Sequence, residues 1–441
     1  MVSNQDIRKL LIPLVIEQVL AMMVGMTDTL MVSSAGEHAV SGVALVDMVN
    51  YLVITVMTAV STGGTVIASQ YLGRGQRDNA RKTAGQLMMI SALISFGIMI
   101  LCFLFRVSLL RLLFGSVEEE VMKAAVTYFM ITACSFPFLG IYNASAALFR
   151  SMGKTSVTMY LAIFMNLINI TGDFIGVQMF HAGVAGVAFP TLISRGIEAV
   201  LMTKLAFNQK NTVCLRLKDI FIWRGELLRK ILHIAVPSGI ENGLFALGKV
   251  LVTSIVALFG TAQIAANGVA NSIDQIAIVV VNAVNLAMIT VVGRCIGAQM
   301  QAQAEYYTRK LMKISYVSTG ILGAAVCALL PLILQFYNLS AETLHYAAVL
   351  IIMHNVFAFA LHPTSFNLAN GLRAAGDAGY TMFVGVGSML IFRLGAAFLF
   401  GIVLNMGIIG IWIAMGMDWL ARSAAFLWRY KGGKWREIKM I

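Results

Sequence analysis

The chain has 441 residues, of which 59% are hydrophobic and 12% are charged. A soluble globular domain carries roughly 25% charged residues, so this composition excludes an ordinary soluble protein and indicates a polytopic membrane protein. The formal net charge is +12, and the distribution of that charge along the chain excludes a nucleic-acid surface as its cause.

Long apolar runs recur along the chain, each close to the ~20 residues that a helix needs to cross ~30 Å of hydrocarbon. They have no period of two, so they indicate helices and not the strands of a membrane β-barrel. The predicted fold class is an all-α polytopic membrane protein with twelve transmembrane helices. The predicted spans are residues 10–33, 43–70, 84–105, 121–147, 157–180, 184–207, 231–259, 263–290, 311–336, 344–370, 378–402 and 407–430.

Most basic residues fall on one side of the threaded chain, whereas Arg106, Arg111 and Lys123 fall on the other. Cytoplasmic loops of membrane proteins are enriched in Lys and Arg. Both termini are therefore predicted to be cytoplasmic, in a cell (plasma or inner) membrane. The basic balance reflects topology, so no nucleic-acid partner is expected.

The longest polar connection separates the first six spans from the last six. The predicted domains are an N-terminal six-helix lobe (1–207), a cytoplasmic linker (208–230), a C-terminal six-helix lobe (231–430) and a basic cytoplasmic tail (431–441). Because six spans are an even number, two such lobes enter the membrane from the same side.

The second lobe repeats the first at an offset of 224 residues. The matches include Pro13 with Pro237, Glu17 with Glu241, Asn143 with Asn367 and, at one residue less, Arg150 with Arg373. So many matches at nearly one offset indicate an internal repeat. Parallel repeats around a central cavity are a transporter architecture.

Acidic residues interrupt the apolar runs of the first lobe. Glu17 and Asp28 are about three helical turns apart and so lie on nearly the same face of span 1. Asp173, near the outer end of span 5, lies at a depth similar to Asp28, and Asn169 is one turn earlier on the same face. An ionisable group in a bilayer costs at least ~2.5 kcal/mol, so it needs a partner, water or a function. We predict that Asp28, Asp173 and Asn169 form a cation-coupling site for Na⁺ or a proton.

Five segments, in this order and spacing, are similar to the multidrug and toxic compound extrusion (MATE) family. They are "IPLVIEQVLAMMVGMTDTLMVSSAG", "ASQYLGRGQRDNARK", "LFRSMGKT", "NITGDFIGVQMFHAGVAGVA" and "GLRAAGDAG". The resemblance covers essentially the whole chain. It implies a V-shaped pair of six-helix lobes that exports amphipathic, often cationic, compounds by alternating access. The exchange is against Na⁺ or H⁺, with no other cofactor.

The resemblance also implies roles for individual residues. The coupling residues of the family fall on Asp28, Asn169 and Asp173, and its seventh-helix acid falls on Glu241. Glu17 is an additional acid at the position that mirrors Glu241. Both glutamates are included among the predicted cation-coupling residues, and the sequence leaves open whether they act in gating, substrate contact or structure.

Methionine and aromatic side chains in the spans predict an adaptable substrate cavity, because methionine-rich surfaces accept differently shaped ligands. The predicted cavity residues are Met26, Tyr51, Met57, Phe245, Met288, Phe357, Lys249 and Arg393. The two basic residues are compatible with two functions. They either neutralise Glu241 or Asp274, or meet an anionic part of the substrate.

Other function classes compete with an exporter. A flippase of lipid-linked saccharides, or export of another endogenous metabolite, remains the alternative because Lys249 and Arg393 suit anions. An intramembrane enzyme is disfavoured, since the sequence has no HExxH or GxSxG pattern. The expected partners are a small organic molecule and membrane lipid, and the expected state is a monomer.

Overall fold

The computed structural model describes residues 4–33, 36–115, 118–337 and 339–441, and the side chains of Met26 and Asp28 lie outside its description. Its described residues form α-helices, with short 3₁₀ and π segments, and contain no strand. The α-helices are α1 (Asn4–Ser33), α2 (Glu37–Gly73), α3 (Arg77–Phe114), α4 (Glu119–Ala133), α5 (Phe136–Ser151), α6 (Thr155–Phe174), α7 (Ala185–Ala206), α8 (Leu217–Phe221), α9 (Gly225–Val256), α10 (Thr261–Gly297), α11 (Gln301–Gln335), α12 (Ala341–His362), α13 (Leu368–Ala374), α14 (Ala378–Ser388), α15 (Ala396–Phe398) and α16 (Gly407–Lys431).

Within the described ranges, nine helical segments are long and apolar enough to cross a membrane, and the pair α4 and α5, bent by 44°, makes a tenth. Helices α1 and α16 are also of membrane length, with 30 and 25 residues, and carry ionisable residues inside the span. Together these segments account for the predicted twelve. The predicted all-α polytopic fold class is confirmed.

Three of the membrane-length segments contain π-helical turns. One extends α6 (Ile175–Met179), one joins α12 to α13 (Pro363–Asn367), and the segment from α14 to residue 403 contains two (Met389–Gly395 and Leu399–Val403). A π turn inserts a residue into the helix and is frequent at functional sites.

Packing divides the chain into two compact units, Met1–Gly239 and Ile240–Ile441. The division falls inside α9, just after Pro237, a proline within the helix. Residues 208–230, the predicted linker, therefore group with the first unit. The lobe boundaries at 207 and 231 stay predictions of the sequence.

Each unit has its own apolar core. In the first unit, buried side chains of α2 to α5 and α7 pack together, among them Val46, Phe129 and Phe136. In the second unit, the core joins α10, α11, α12, α15 and α16 and includes Leu350 and Trp412. Membrane helices associate through such close packing, because lipid offers no hydrophobic driving force between them.

The predicted linker is docked on the beginning of α3. Asp219 of α8 is fully buried, and its carboxylate accepts hydrogen bonds from Arg81 Nε at 2.8 Å and Arg224 Nη2 at 3.0 Å. Gln86 Nε2 donates to the carbonyl oxygens of Asp219 and Ile222 at 3.0 and 2.8 Å. The connection is thus an ordered part of the first unit.

The predicted basic tail docks in a corresponding way on the beginning of α11. Arg436 Nη2 lies 2.5 Å from Glu305 Oε1, and Trp435 is buried with its ring stacked on Tyr430. An offset of 224 residues places Arg81 on Glu305. Each repeat therefore fixes the segment after its sixth membrane helix by an ion pair to its third, with the charges exchanged.

Candidate functional site

The predicted coupling residues of α6 are deeply buried. Asp173 is 0% exposed and Asn169, one turn earlier, is 5% exposed. Asn169 Nδ2 lies 3.4 Å from Thr191 Oγ1 of α7, at the limit of a hydrogen bond. The structure therefore places Asn169 and Asp173 together in the interior of the first unit, as the spacing predicted. Whether Asp28 joins them lies outside the described residues.

Small residues hold the C-terminal end of α6 and the π segment after it tightly against α7. A Cβ atom on Gly172 would lie 2.7 Å from Pro190 Cβ, and one on Gly176 would collide with the backbone of Gly186. The helix then continues as a π segment directly after the turn that carries Asp173. This close packing fixes the depth and direction of the buried carboxylate.

Glu17, the additional acid of α1, is neutralised inside the first unit. Arg150 Nη2 donates to Glu17 Oε1 at 2.6 Å, and Thr158 Oγ1 donates to Glu17 Oε2 at 2.7 Å. Nearby, Glu198 of α7 is hydrogen-bonded to the Tyr142 hydroxyl. Glu17 thus links α1 to the end of α5 and the beginning of α6.

Pro13 interrupts α1 one turn before Glu17. Proline has no backbone N–H, so the carbonyl of Lys9, four residues earlier, loses its helical donor. Thr155 Oγ1 of α6 lies 2.9 Å from the carbonyl oxygen of Leu10 and 3.5 Å from that of Lys9. The Thr155 hydroxyl thus donates to the Leu10 carbonyl and lies at the limit of hydrogen-bond distance from the Lys9 carbonyl, which Pro13 leaves without its helical donor.

Glu241 in the second unit repeats the arrangement of Glu17. Arg373 Nη2 donates to Glu241 Oε2 at 2.5 Å, and Arg373 Nε donates to Thr381 Oγ1 at 3.2 Å. Arg422 Nη1 lies 3.6 Å from Glu241 Oε1. Gly385 permits this approach, because a Cβ there would lie 2.6 Å from Glu241 Oε1.

Asp418 on α16 is the next acid of the same network. Arg422 Nε donates to Asp418 Oδ1 at 3.0 Å, an ion pair between residues four positions apart on one helix. Arg393 Nη1 lies 3.8 Å from Asp418 Oδ2 without a hydrogen bond. Arg393 therefore faces Asp418, and the suggestion that it neutralises Glu241 or Asp274 is wrong.

Phe245 of α9 lies at the centre of the basic residues. The distances to its ring centroid are 5.3 Å from Lys249 Nζ, 5.5 Å from Arg393 Cζ and 5.1 Å from Arg422 Cζ. These are cation–π distances. Phe366 packs edge-on against Phe245, with centroids 6.3 Å apart. Three predicted cavity residues, Phe245, Lys249 and Arg393, are thus brought together.

His354 lies beside Asp274, a pairing that the sequence did not predict. His354 Nδ1 is 3.2 Å from Asp274 Oδ1, and both side chains are buried between α10 and α12. The His354 ring packs edge-on against Trp412 and Trp419. The suggestion that Lys249 neutralises Asp274 is therefore wrong, since a histidine occupies that place. The pair joins residues 80 positions apart, so helical spacing could not reveal it.

The other predicted cavity residues have different surroundings. Met57 and Met288 are 1% and 0% exposed, so they are closed off in this conformation. Phe357 packs on Gly416, whose Cβ would lie 2.7 Å from its ring, whereas Tyr51 is half exposed. Their contact with a substrate stays a prediction, and the side chain of Met26 lies outside the described part.

One further depression, of about 540 Å³, is lined by apolar residues of the bent pair α4 and α5 and of α7, including Phe138 and Ile193. It contains none of the predicted site residues. In the portion of the chain described here, no three His, Cys, Asp or Glu side chains are arranged to hold a metal ion. The predicted Na⁺ site is not covered by this search, because the site includes Asp28, whose side chain lies outside the described part.

The chain matches known proteins along nearly its whole length. The model of the MatE family matches residues 13–175 and 237–417. The uncharacterized transporter YisQ of Bacillus subtilis is 31% identical over 434 residues, covering 96% of this chain and 93% of that protein. The probable multidrug resistance protein NorM of Thermotoga maritima is 24% identical over 448 residues, covering 99% and 94%.

Solved structures share the fold. An outward-facing multidrug resistance MATE family transporter of the MOP superfamily has a TM-score of 0.91 at 20% identity, covering 98% of this chain and 96% of that one. The same values hold for a MOP superfamily transporter from Pyrococcus furiosus, described by the reverse polarity of its binding pocket. Since the family match covers both repeats, the chain belongs to the MATE family of membrane transporters.

Proposed function

We propose that this protein is a secondary active exporter that moves small organic compounds out of the cell in exchange for Na⁺ or H⁺. Family membership supports export of small organic compounds. The observation that carries the coupling proposal is Asp173, a fully buried acid with Asn169 one turn away on α6.

A buried carboxylate suits ion coupling for a physical reason. Burial disfavours the charged form, so the site gains free energy when a proton or a cation neutralises it. The amide oxygen of Asn169 and the carboxylate of Asp173 are both ligands that a hard cation accepts. A conformational equilibrium that buries the acid in one state and hydrates it in the other is biased by the ion.

Glu17 and Glu241 have a different proposed role. Each is already neutralised by an arginine at 2.6 or 2.5 Å, so neither needs a mobile cation. We assign both to the structure of their helices and restrict the coupling site to Asp28, Asn169 and Asp173. Thr158 contributes a further hydrogen bond to Glu17.

The remaining features of the proposal follow from topology. The exporter lies in the cell membrane with both termini in the cytoplasm, because Lys and Arg are concentrated in loops on that side. It works as a monomer and catalyses no chemical reaction on its substrate.

A second candidate is export of an endogenous metabolite, or flipping of a lipid-linked saccharide. The basic residues around Phe245 favour it, because they suit a substrate with a negative group.

The test is dye efflux from proteoliposomes under an imposed Na⁺ gradient and, separately, an imposed proton gradient. Asp173→Asn keeps the size of the side chain and removes its charge, so we expect it to abolish efflux driven by either ion. Glu342→Gln is the control, since Glu342 is an exposed acid of the first turn of α12. If Asp173→Asn transports like the unmodified protein under both gradients, the coupling proposal is wrong.

A further inference from the structure

We infer that the basic residues around Phe245 bind the anionic group of the transported compound, so that the substrates are amphipathic organic anions. This inference rests on the proposed export function and names its substrate class. The site lies wholly within the second unit, on α9, α13, α16 and the π segments Pro363–Asn367 and Met389–Gly395.

The charges of this site do not balance. Four basic side chains, Lys249, Arg373, Arg393 and Arg422, face two acids, Glu241 and Asp418. Four minus two leaves a surplus of two positive charges. Adding Asp274, which pairs with His354, still leaves a surplus of one. Every acid is already committed to a partner among the described side chains.

Lys249 carries the least compensated charge. Among the described side chains, the charged group that interacts electrostatically with Lys249 is Arg393, which is also positively charged. Its side chain is exposed although it lies well inside a membrane-length helix, and its ammonium rests over the ring of Phe245. Lys249 therefore presents an accessible cation that no described acid neutralises.

The guanidinium of Arg393, close to Lys249, has a hydrogen-bond donor that no described residue accepts. Its side chain is 12% exposed and its Nη1 has no hydrogen-bond partner in the described structure, since Asp418 Oδ2 is 3.8 Å away. A guanidinium and an ammonium that share one aromatic ring can grip a carboxylate, sulfonate or phosphate together. The same pair repels a simple organic cation.

Aromatic side chains next to the cations suit the apolar part of such a compound. Phe366 packs against Phe245, and the buried His362 stacks on Phe366 with centroids 4.3 Å apart. Surplus charge in a membrane-embedded unit is costly, and snorkelling of Lys249 towards the interface would relieve only its own share. An organic anion that binds in this site neutralises the surplus positive charge of the whole cluster.

The test is equilibrium binding to the purified full-length protein in dodecyl maltoside, measured by fluorescence anisotropy. The probes are the anion carboxyfluorescein and the cation tetramethylrhodamine ethyl ester. The variants are Lys249→Gln, which removes the charge, and Lys249→Arg, which keeps it. Lys204→Gln removes an equal charge from an exposed position of α7 and serves as the control.

We expect saturable binding of carboxyfluorescein that is tighter than binding of the rhodamine. Lys249→Gln should weaken it about tenfold or more, the effect of losing one charge-assisted hydrogen bond. Lys249→Arg should restore most of the affinity, and Lys204→Gln should leave it unchanged. Unchanged affinity in a Lys249→Gln protein that melts like the unmodified one, or tighter binding of the rhodamine, would overturn the inference.

Short-chain phosphatidylglycerol distinguishes a lipid headgroup from a free organic anion. If it displaces the dye from the unmodified protein, the anion site is a headgroup site, and if it does not, the ligand is a free anion. Binding needs no ion gradient, so Asp173→Asn should retain it. Loss of ion coupling and loss of anion binding are therefore separate results.

Discussion

Arg373 Nη2 lies 2.5 Å from Glu241 Oε2, and the same pair recurs in the first unit, where Arg150 Nη2 lies 2.6 Å from Glu17 Oε1. The threonines beside the two pairs, Thr381 and Thr158, also correspond at the offset of 223 residues. Each repeat thus ties its first helix to the region between its fourth and fifth by one buried ion pair.

Removing one partner of such a pair should cost more than removing both. Arg150→Met leaves the Glu17 carboxylate buried without its counter-charge, which costs about 3–5 kcal/mol at comparable buried pairs. The double variant Arg150→Met with Glu17→Gln should recover a large part of the loss. The measurement is the midpoint of thermal unfolding in detergent. Strictly additive losses would contradict an ion pair between them.

The offset of the repeat predicted that Glu17 and Glu241 occupy equivalent places, but it did not predict their arginine partners. Helical periodicity relates residues three or four positions apart, such as the paired Asp418 and Arg422. Arg150 is 133 residues from Glu17. Such a contact depends on how helices pack against one another, which one sequence does not specify.

Thr155 provides a second test, because its hydroxyl lies within hydrogen-bond distance of backbone carbonyls in the turn before Pro13. Thr155→Val keeps the shape and removes the donor, so unfolding should become easier by about 1–3 kcal/mol, the cost of an unsatisfied buried polar group. In a Pro13→Ala background the restored N–H can bond the Lys9 carbonyl, and the cost should shrink. The thermal midpoints of the unmodified protein, Thr155→Val, Pro13→Ala and the double variant form a double-mutant cycle. Thr155→Ser, which keeps the hydroxyl, is the control. An equal cost in both backgrounds would exclude this coupling.

The polar composition of the linker did not predict that part of it is buried. Residues 208–230 are polar and were predicted as a connection between lobes, yet Asp219 within them is fully buried. Polar composition describes the exposed side of the segment, whereas its anchoring joins Asp219 to Arg81 and Gln86, which are more than 130 residues away, and to Arg224 within the segment.

Asp219→Asn should release this segment from α3, because Arg81 and Arg224 lose their buried counter-charge. The expected results are a lower thermal midpoint and faster tryptic cleavage at the basic residues of the segment. Asp78→Asn is a matched control, since Asp78 binds the same Arg81 but is 58% exposed, and exposed pairs contribute little. Equal effects of the two variants would argue against a buried anchor.

Substituting either of two glycines of α14 with alanine tests how closely this helix packs against Glu241. A Cβ on Gly385 would lie 2.6 Å from Glu241 Oε1, whereas one on Gly387 would meet nothing within 4 Å. Gly385→Ala should therefore push the carboxylate away from Arg373 and lower the thermal midpoint. Gly387→Ala should raise the midpoint slightly, because alanine favours a helix over glycine by up to about 1 kcal/mol. If both substitutions stabilise the protein, Glu241 does not pack against α14 as described.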